Sequence, residues 1–333
     1  MNNEKFLHLL YRSLLHRDPE PGAVQAWINQ MRAGLSEADV TAAFLSSDEY
    51  LTVNTARARL FRPPGHFYSP IVDVSTVAHL FGDVGWPSSL PGIDLNPTTQ
   101  LAMWRRLLPH LQSAPFSKAG VVERRYRPDN PAYGVGDASV YFAMLMTYRP
   151  HRIVEIGSGF SSACALDTIE HHLRQEVNVT FVEPYPQLLD SLLTSSDRVR
   201  TTIIPSEVQS VDLDVFRSLD SGDFLFIDST HVLKTGSDVH FELFEILPAL
   251  NPGVHIHIHD TFWPFQYPRS WVVDENRSWN ELYALRAFLM YNNNYSIEFF
   301  NDYFAKVHHD TVQRDFPMML DNPGGALWLL KNL

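Results

Sequence analysis

Residues 152–162 read Arg152-Ile153-Val154-Glu155-Ile156-Gly157-Ser158-Gly159-Phe160-Ser161-Ser162. A short apolar strand ends in Gly-x-Gly and turns directly into a helix that runs to about residue 172. Glycine lets backbone pass close to a ligand, and the helix N-terminus behind it offers N–H groups with no partner inside the helix. The dinucleotide fingerprint Gly-x-Gly-x-x-Gly is not met, because Ser162 stands where the third glycine belongs. That departure disfavours an NAD-dependent enzyme.

Downstream, Val179-Thr180-Phe181-Val182-Glu183-Pro184 reads as a second strand ending in a carboxylate. A carboxylate there can accept both ribose hydroxyls of a nucleoside. A third strand is expected over Val199–Ile204, followed by Ser206 and Glu207. The fourth, Asp223-Phe224-Leu225-Phe226-Ile227-Asp228, is the continuous apolar run of a strand buried on both faces. The fifth, Val254-His255-Ile256-His257-Ile258-His259-Asp260, follows the turn Asn251-Pro252-Gly253. Helical patterns at 137–148, 160–172 and 236–249 alternate with these strands, so the fold class is α/β with a doubly wound parallel sheet. Ligands bind at the carboxyl ends of such strands, where Glu155, Gly157, Ser158, Gly159, Glu183, Asp228 and His259-Asp260 converge.

The alternating histidines of the fifth strand point to one face. At strand rise, His255 and His259 lie about 13 Å apart, so one ion cannot collect all three. His255 reads as a buried, hydrogen-bonded residue. His259, at the strand end, and His231, just beyond the fourth strand, are the rival proton acceptors, because imidazole titrates near neutral pH. The Pro-containing loop after Asp260 carries Trp263 and Tyr267, and an upstream segment carries Tyr126 and Asn130. These side chains either form an acceptor-binding wall or pack over the core.

The chain has 333 residues, with 26 Lys+Arg against 38 Asp+Glu for a net charge of −12. An acidic chain without a basic block is a poor nucleic-acid binder. One cysteine, Cys164, excludes a disulfide framework and a cysteine-based zinc site. No apolar run approaches the length of a membrane span, and the N-terminus is charged and amphipathic rather than a signal peptide, so the expected address is the cytoplasm. Residues 3–58 read as helices, with the breaker Asp18-Pro19-Glu20-Pro21-Gly22 after the first and Ser36 as N-cap of the third. Residues 59–136 are rich in Pro and Gly, with one helix expected over 98–112.

The stretch LYRSLLHRDPEPGAVQAWINQMRAGLSEADVTAAFLSSDEY resembles the DUF4214 module, related to phycobilisome linker repeats. That resemblance implies a small helical bundle without chemistry of its own, often joined to enzymes acting on glycans or surface polymers. The module is a candidate for self-association or for binding a protein partner. VEIGSGFSS, FVEP, DFLFIDSTH and HIHDTF resemble class I S-adenosylmethionine (SAM)-dependent methyltransferases, and FIDSTHVLKTGSDVHFELFEILPALNPGVHIHIHDTFWPFQYP the Methyltransf_24 subfamily. ELYALRAFL and GGALWLLK fit the antiparallel closing strands of that fold. The resemblance implies a Rossmann-like seven-stranded sheet, preceded by a small all-α domain. The expected division is 1–58 helical module, 59–119 linker and lid, and 120–333 methyltransferase domain.

Carried over, Gly157, Ser158 and Gly159 approach the methionine part of SAM, Glu155 its amino group, Glu183 the ribose and Ser206 or Glu207 the adenine edge, with Asp228 beside them. The implied reaction is O-methylation of a glycan or small hydroxylated acceptor, with His259, His231 and Asp228 as the catalytic candidates. Asp228 and Asp260 resemble the metal aspartates of catechol-type O-methyltransferases, and with His259 they make the set for a divalent ion, magnesium or a transition metal. Thr261 stands where that pattern has Asn, which leaves metal binding open. The alternative, from another class, is a non-catalytic SAM-binding scaffold.

Overall fold

A computed structural model describes residues 3–53, 61–82, 85–117, 124–173 and 175–332. They form two compact units, divided between Phe81 and Gly82. The expected boundaries at 58 and 119 lie outside the described residues. The segment read as linker and lid contributes to both units.

The N-terminal unit is built on α1 (Asn3–Leu14), α2 (Ala23–Arg32) and α3 (Glu37–Ser46). Leu7, Leu10, Tyr11, Val40 and Phe44 make its core, and Trp27, Ile28 and Met31 pack on it from α2. Ser36 caps α3 as expected. Its hydroxyl accepts from the Asp39 N–H at 3.1 Å, and Asp39 accepts the Ser36 N–H at 3.0 Å, a reciprocal capping box.

The second unit holds one seven-stranded sheet in the order β3-β2-β1-β4-β5-β7-β6. The strands are β1 Arg152–Ile156, β2 Asn178–Val182, β3 Thr201–Ile204, β4 Phe224–Ile227, β5 His255–Ile258, β6 Tyr295–Phe300 and β7 Leu327–Lys331. β1 to β5 pair in parallel, and β7 inserts antiparallel between β5 and β6. The chain winds outward from β1 to β3 and restarts at β4, which places a topological switch point between β1 and β4. The third strand starts two residues later than expected, because Val199 belongs to the helical turn Asp197–Arg200.

Helices α4 (Pro97–Ser113), α5 (Val135–Tyr148) and α6 (Phe160–His171) belong to this unit. Register places Phe181, Glu155, Phe226, His257 and Trp328 in one row across β2, β1, β4, β5 and β7. The row is roofed by α5, whose Tyr141 ring lies 5.1 Å from Phe226 and 5.8 Å from Trp328. Within it the His257 ring stacks on Phe226 at 3.9 Å, and burial holds this imidazole well below its ordinary pKa, hence neutral. His255 is the structural residue expected: its Nδ1 pairs with Glu298 at 2.6 Å, and Tyr148 donates to the other Glu298 oxygen at 2.7 Å.

One expectation is corrected at the C-terminal end. Residues Glu281–Leu289 are not a closing strand but helix α7, since Leu282, Leu285 and Leu289 recur at helical spacing and bury together. The outer strand is Tyr295–Phe300 instead. Among the described residues no helix is long and apolar enough to cross a membrane.

Arg125 ties the chain before α5 to α6 and to the turn before β3. Its guanidinium donates to Asp167 at 2.7 Å, to Glu170 at 2.5 Å and to both Asp197 oxygens at 2.8 Å, and Arg125, Asp167 and Asp197 are all buried. Removing one side of such a knot leaves uncompensated buried charge. Arg125→Met is therefore expected to cost about 3–5 kcal/mol in urea unfolding; a loss within experimental error would show that the knot does not hold the domain.

Candidate active site

The parallel ladder continues past the strand ends into the site. Gly157 N–H donates to Val182 O, Asp228 N–H to Ile156 O, His259 N–H to Ile227 O and Glu183 N–H to Ile204 O. The residues just beyond the strands are thus held in line by the same bonds that make the sheet. Gly157 has φ +76°, and a Cβ there would meet the Asp228 carbonyl oxygen at 1.8 Å. Only glycine permits both that backbone and that approach.

A cleft of about 530 Å³ opens at this edge, lined by Gly157, Glu183, Tyr185, Val208, Asp228 and Lys234 among others. Glu183 is half-buried on its wall. One of its oxygens accepts from the Ser158 N–H at 3.0 Å and the other from the Tyr185 N–H at 2.8 Å. Glu207 lines the cleft, whereas Ser206 does not and instead donates its hydroxyl to the Glu207 carbonyl.

Glu155 is placed differently from expectation. Strand alternation turns it into the row beneath α5, and it is fully buried under the glycine bend rather than open to the cleft. Its Oε1 accepts from the hydroxyls of Ser161 at 2.6 Å and Ser162 at 2.8 Å, and Ser162 in turn receives the Gly159 N–H at 3.0 Å. Glu155 therefore fixes the start of α6 from below. Burial pushes its carboxyl up to about 8, against the two serine bonds and with help from the charges of Asp228 and Glu183.

On the other side of Asp228 the histidines and aspartates do converge. One donor atom each of Asp228, His259 and Asp260 lie within 4.8 Å of one another. His259 Nε2 is 3.5 Å from Asp260, and its buried Nδ1 has no hydrogen-bond partner. His231 Nε2 lies 3.5 Å from Asp228 and 3.3 Å from Asp260, while its Nδ1 meets Glu281 at 2.8 Å. Burial works against protonation of both imidazoles, but the carboxylates around them win: Asp228, Glu281 and Asp260 hold His231 well above its ordinary value, and Asp228, Asp260 and Asp137 raise His259. Asp137, fully buried on α5, is pushed up to about 6 by burial.

Of the residues expected to form an acceptor wall, Trp263, Tyr267 and Tyr126 are interior and Asn130 is half-buried. Trp263 is buried, with its indole N–H donated to the Pro87 carbonyl at 3.0 Å. Tyr267 is buried, with its hydroxyl accepting from the Leu282 N–H, and Tyr126 is buried with its hydroxyl on the Tyr133 carbonyl. Asn130 spends its side chain on its own turn, bonding Arg127, Ala132 and Tyr133 backbone. These groups pack. A half-buried aromatic beside the histidine–aspartate cluster is Trp279, whose ring centre lies 4.5 Å from that of His231. Neither Trp279 nor Glu281 was legible, because each meets His231 across about fifty residues of chain without a local motif.

The buried Glu155 gives a test of this geometry. Its folded-state pKa lies above the unfolded one, so its contribution to stability is complete below about pH 4.5 and is lost as pH rises towards about 8. The isosteric Glu155→Gln lacks this titration. Wild type is expected to fall behind the variant by up to about 1.4 kcal/mol per pH unit between those limits, with parallel curves above them; parallel curves throughout would contradict the burial.

Residues 154–261 match the methyltransferase domain family Methyltransf_24, and residues 1–54 match DUF4214, a domain of unknown function. An uncharacterized protein of Archaeoglobus fulgidus is 35% identical over 165 residues, covering 47% of this chain and 73% of that protein. The O-methyltransferase TomG of Streptomyces achromogenes, involved in tomaymycin synthesis and solved with SAM, is 10% identical over 72% of this chain and 92% of its own, with a TM-score of 0.39. An O-methyltransferase of Bacillus cereus solved with SAH is 16% identical, covering 68% and 91%, with a TM-score of 0.34. The chain belongs to the Methyltransf_24 family of class I SAM-dependent methyltransferases and carries a DUF4214 domain ahead of that domain.

Proposed function

We propose that the protein transfers the methyl group of SAM to a hydroxyl of a glycan or other small hydroxylated acceptor. The observation that carries this reading is the cleft between the ends of β1, β2 and β4, with the Glu183 carboxylate on its wall and the Gly157 bend beside it. Glu183 Oε1 keeps accepting capacity beyond its bond from the Tyr185 N–H, which suits a ribose hydroxyl, and Oε2 accepts both the N–H and the hydroxyl of Ser158, a bond the ribose could replace. Gly157, Ser158 and Gly159 face the methionine part, and Glu207 and Val208 the adenine side. Bound SAM supplies an electrophilic methyl; the chain's own work is to align the acceptor and take its proton.

Asp228, His259 and Asp260 offer two carboxylates and an imidazole whose Nε2 lies 3.5 Å from Asp260, a donor set that fits a divalent ion. Such an ion would supply charge to an acceptor oxygen and neutralise the carboxylates that now keep His231 protonated. In this arrangement His259 is a ligand, and His231 is the residue that accepts the hydroxyl proton. Trp279 is the aromatic surface for the acceptor. The DUF4214 domain supports the glycan preference, through the company such modules keep, and an assembly role with a second copy or another protein.

Calorimetry with SAM, S-adenosylhomocysteine (SAH) and NAD tests the reading: the first two bind and NAD does not. Binding of NAD alone would overturn it. Glu183→Ala is expected to weaken SAH binding by at least about tenfold, roughly 1.4 kcal/mol; unchanged affinity would remove the ribose assignment. Incubation with methyl-labelled SAM and a panel of methyl glycosides and catechol identifies the acceptor class, and SAM binding with no labelled product across the panel favours the scaffold reading. For the metal, titration of the protein with Mn²⁺ is expected to show one site that Asp260→Asn weakens at least about tenfold. A titration without heat would dismiss the ion.

A further inference from the structure

We infer that Glu281 is a positioning residue that fixes the His231 ring towards Asp228 and Asp260; this rests on the reading of His231 as the proton acceptor. His231 occupies left-handed backbone, φ +60°, which a non-glycine residue adopts only where its surroundings hold it. What holds it is the start of α7. The N–H groups of Asn280 and Glu281 donate to the His231 carbonyl at 3.1 and 3.2 Å. The Asn280 side chain grips the same loop from both sides, accepting the Leu233 N–H at 2.6 Å and donating to the Leu233 carbonyl at 3.2 Å.

These bonds already fix the loop backbone, and Glu281's carboxylate takes no part in them. Among the described residues its hydrogen bond is to His231 Nδ1, at 2.8 Å, between side chains only 8% and 7% exposed. A carboxylate oxygen accepts, so Nδ1 carries the hydrogen. With Nδ1 anchored, Nε2 on the opposite side of the ring is turned to the aspartates, at 3.5 and 3.3 Å. Trp279 lies against the ring and limits its rotation. A partner on one ring nitrogen that sets what the other can do is a general device of working histidines. The division of labour is therefore separable: Asn280 and backbone hold the loop, and Glu281 orients the ring.

The test uses the full chain, labelled with ¹⁵N at histidine and saturated with SAH. The Nδ1 proton of His231, assigned by its absence in His231→Gln, is expected downfield and slow to exchange. It is lost in Glu281→Ala and persists, moved upfield, in Glu281→Gln, whose side-chain carbonyl still accepts. The same resonance in Glu281→Ala overturns the inference. If that variant does not fold, Glu281→Gln decides alone, an unmoved resonance being the contrary result. In methyl transfer to the methyl glycoside and catechol panel, His231→Gln is expected to lose about 100-fold in kcat and Glu281→Ala about tenfold, with KM for SAM unchanged and most of the loss recovered in Glu281→Gln. Unimpaired transfer by His231→Gln overturns the proton-acceptor reading while the resonance results stand. Transfer impaired in His231→Gln but not in Glu281→Ala overturns the positioning role alone.

Discussion

The carbonyl oxygen of Asp228 lies where a side chain on residue 157 would begin. That single approach, between the first residue past β1 and the first past β4, organises the whole working edge. It needs a residue without Cβ and with left-handed backbone, and it brings the bend that follows β1 against the aspartate that follows β4. Parallel ladder bonds on either side extend the constraint to Glu183 and His259. The cleft and the histidine–aspartate cluster are thus two sides of one junction, at the point where the strand order reverses.

The charge distribution follows from burial on either side of that junction. Beneath the bend, Glu155 is enclosed by α5 and the start of α6, and a neutral carboxyl there serves the serine hydroxyls that shape the loop. Beyond it, Asp228, Asp260 and Glu281 surround His231 closely enough to outweigh the cost of burying its charge. The same edge thus shifts one acid towards its neutral form and one base towards its charged form, by environment alone.

Much of this was readable in the residues themselves. The five apolar runs, of which the second, fourth and fifth are closed directly by Glu183, Asp228 and His259, specify parallel strands with polar groups at their ends, and the Ser36–Asp39 cap and the buried His255 follow from local chemistry. Glu155 was harder: an acidic residue before the bend is visible, but which face it takes depends on strand parity. Parity puts it with Phe226 and His257, on the side that α5 covers. Trp263 and Tyr267 illustrate a different limit, because an aromatic-rich loop looks the same whether it packs or presents a surface. The outer strand was assigned to the pattern at 281–289, where leucines at helical spacing in fact make α7, the element that delivers Glu281 to His231. Contacts of that kind, between residues distant in sequence and without a shared motif, come only with the fold.

The most direct measurement of the central claim is a crystal structure of the protein grown with SAH. The account predicts nucleoside density in the cleft lined by Gly157, Glu183 and Asp228, with the ribose against Glu183 and the adenine towards Val208. Density seated elsewhere, such as the separate cleft beside Arg127 and Phe160, with Glu183 left to solvent, would contradict it.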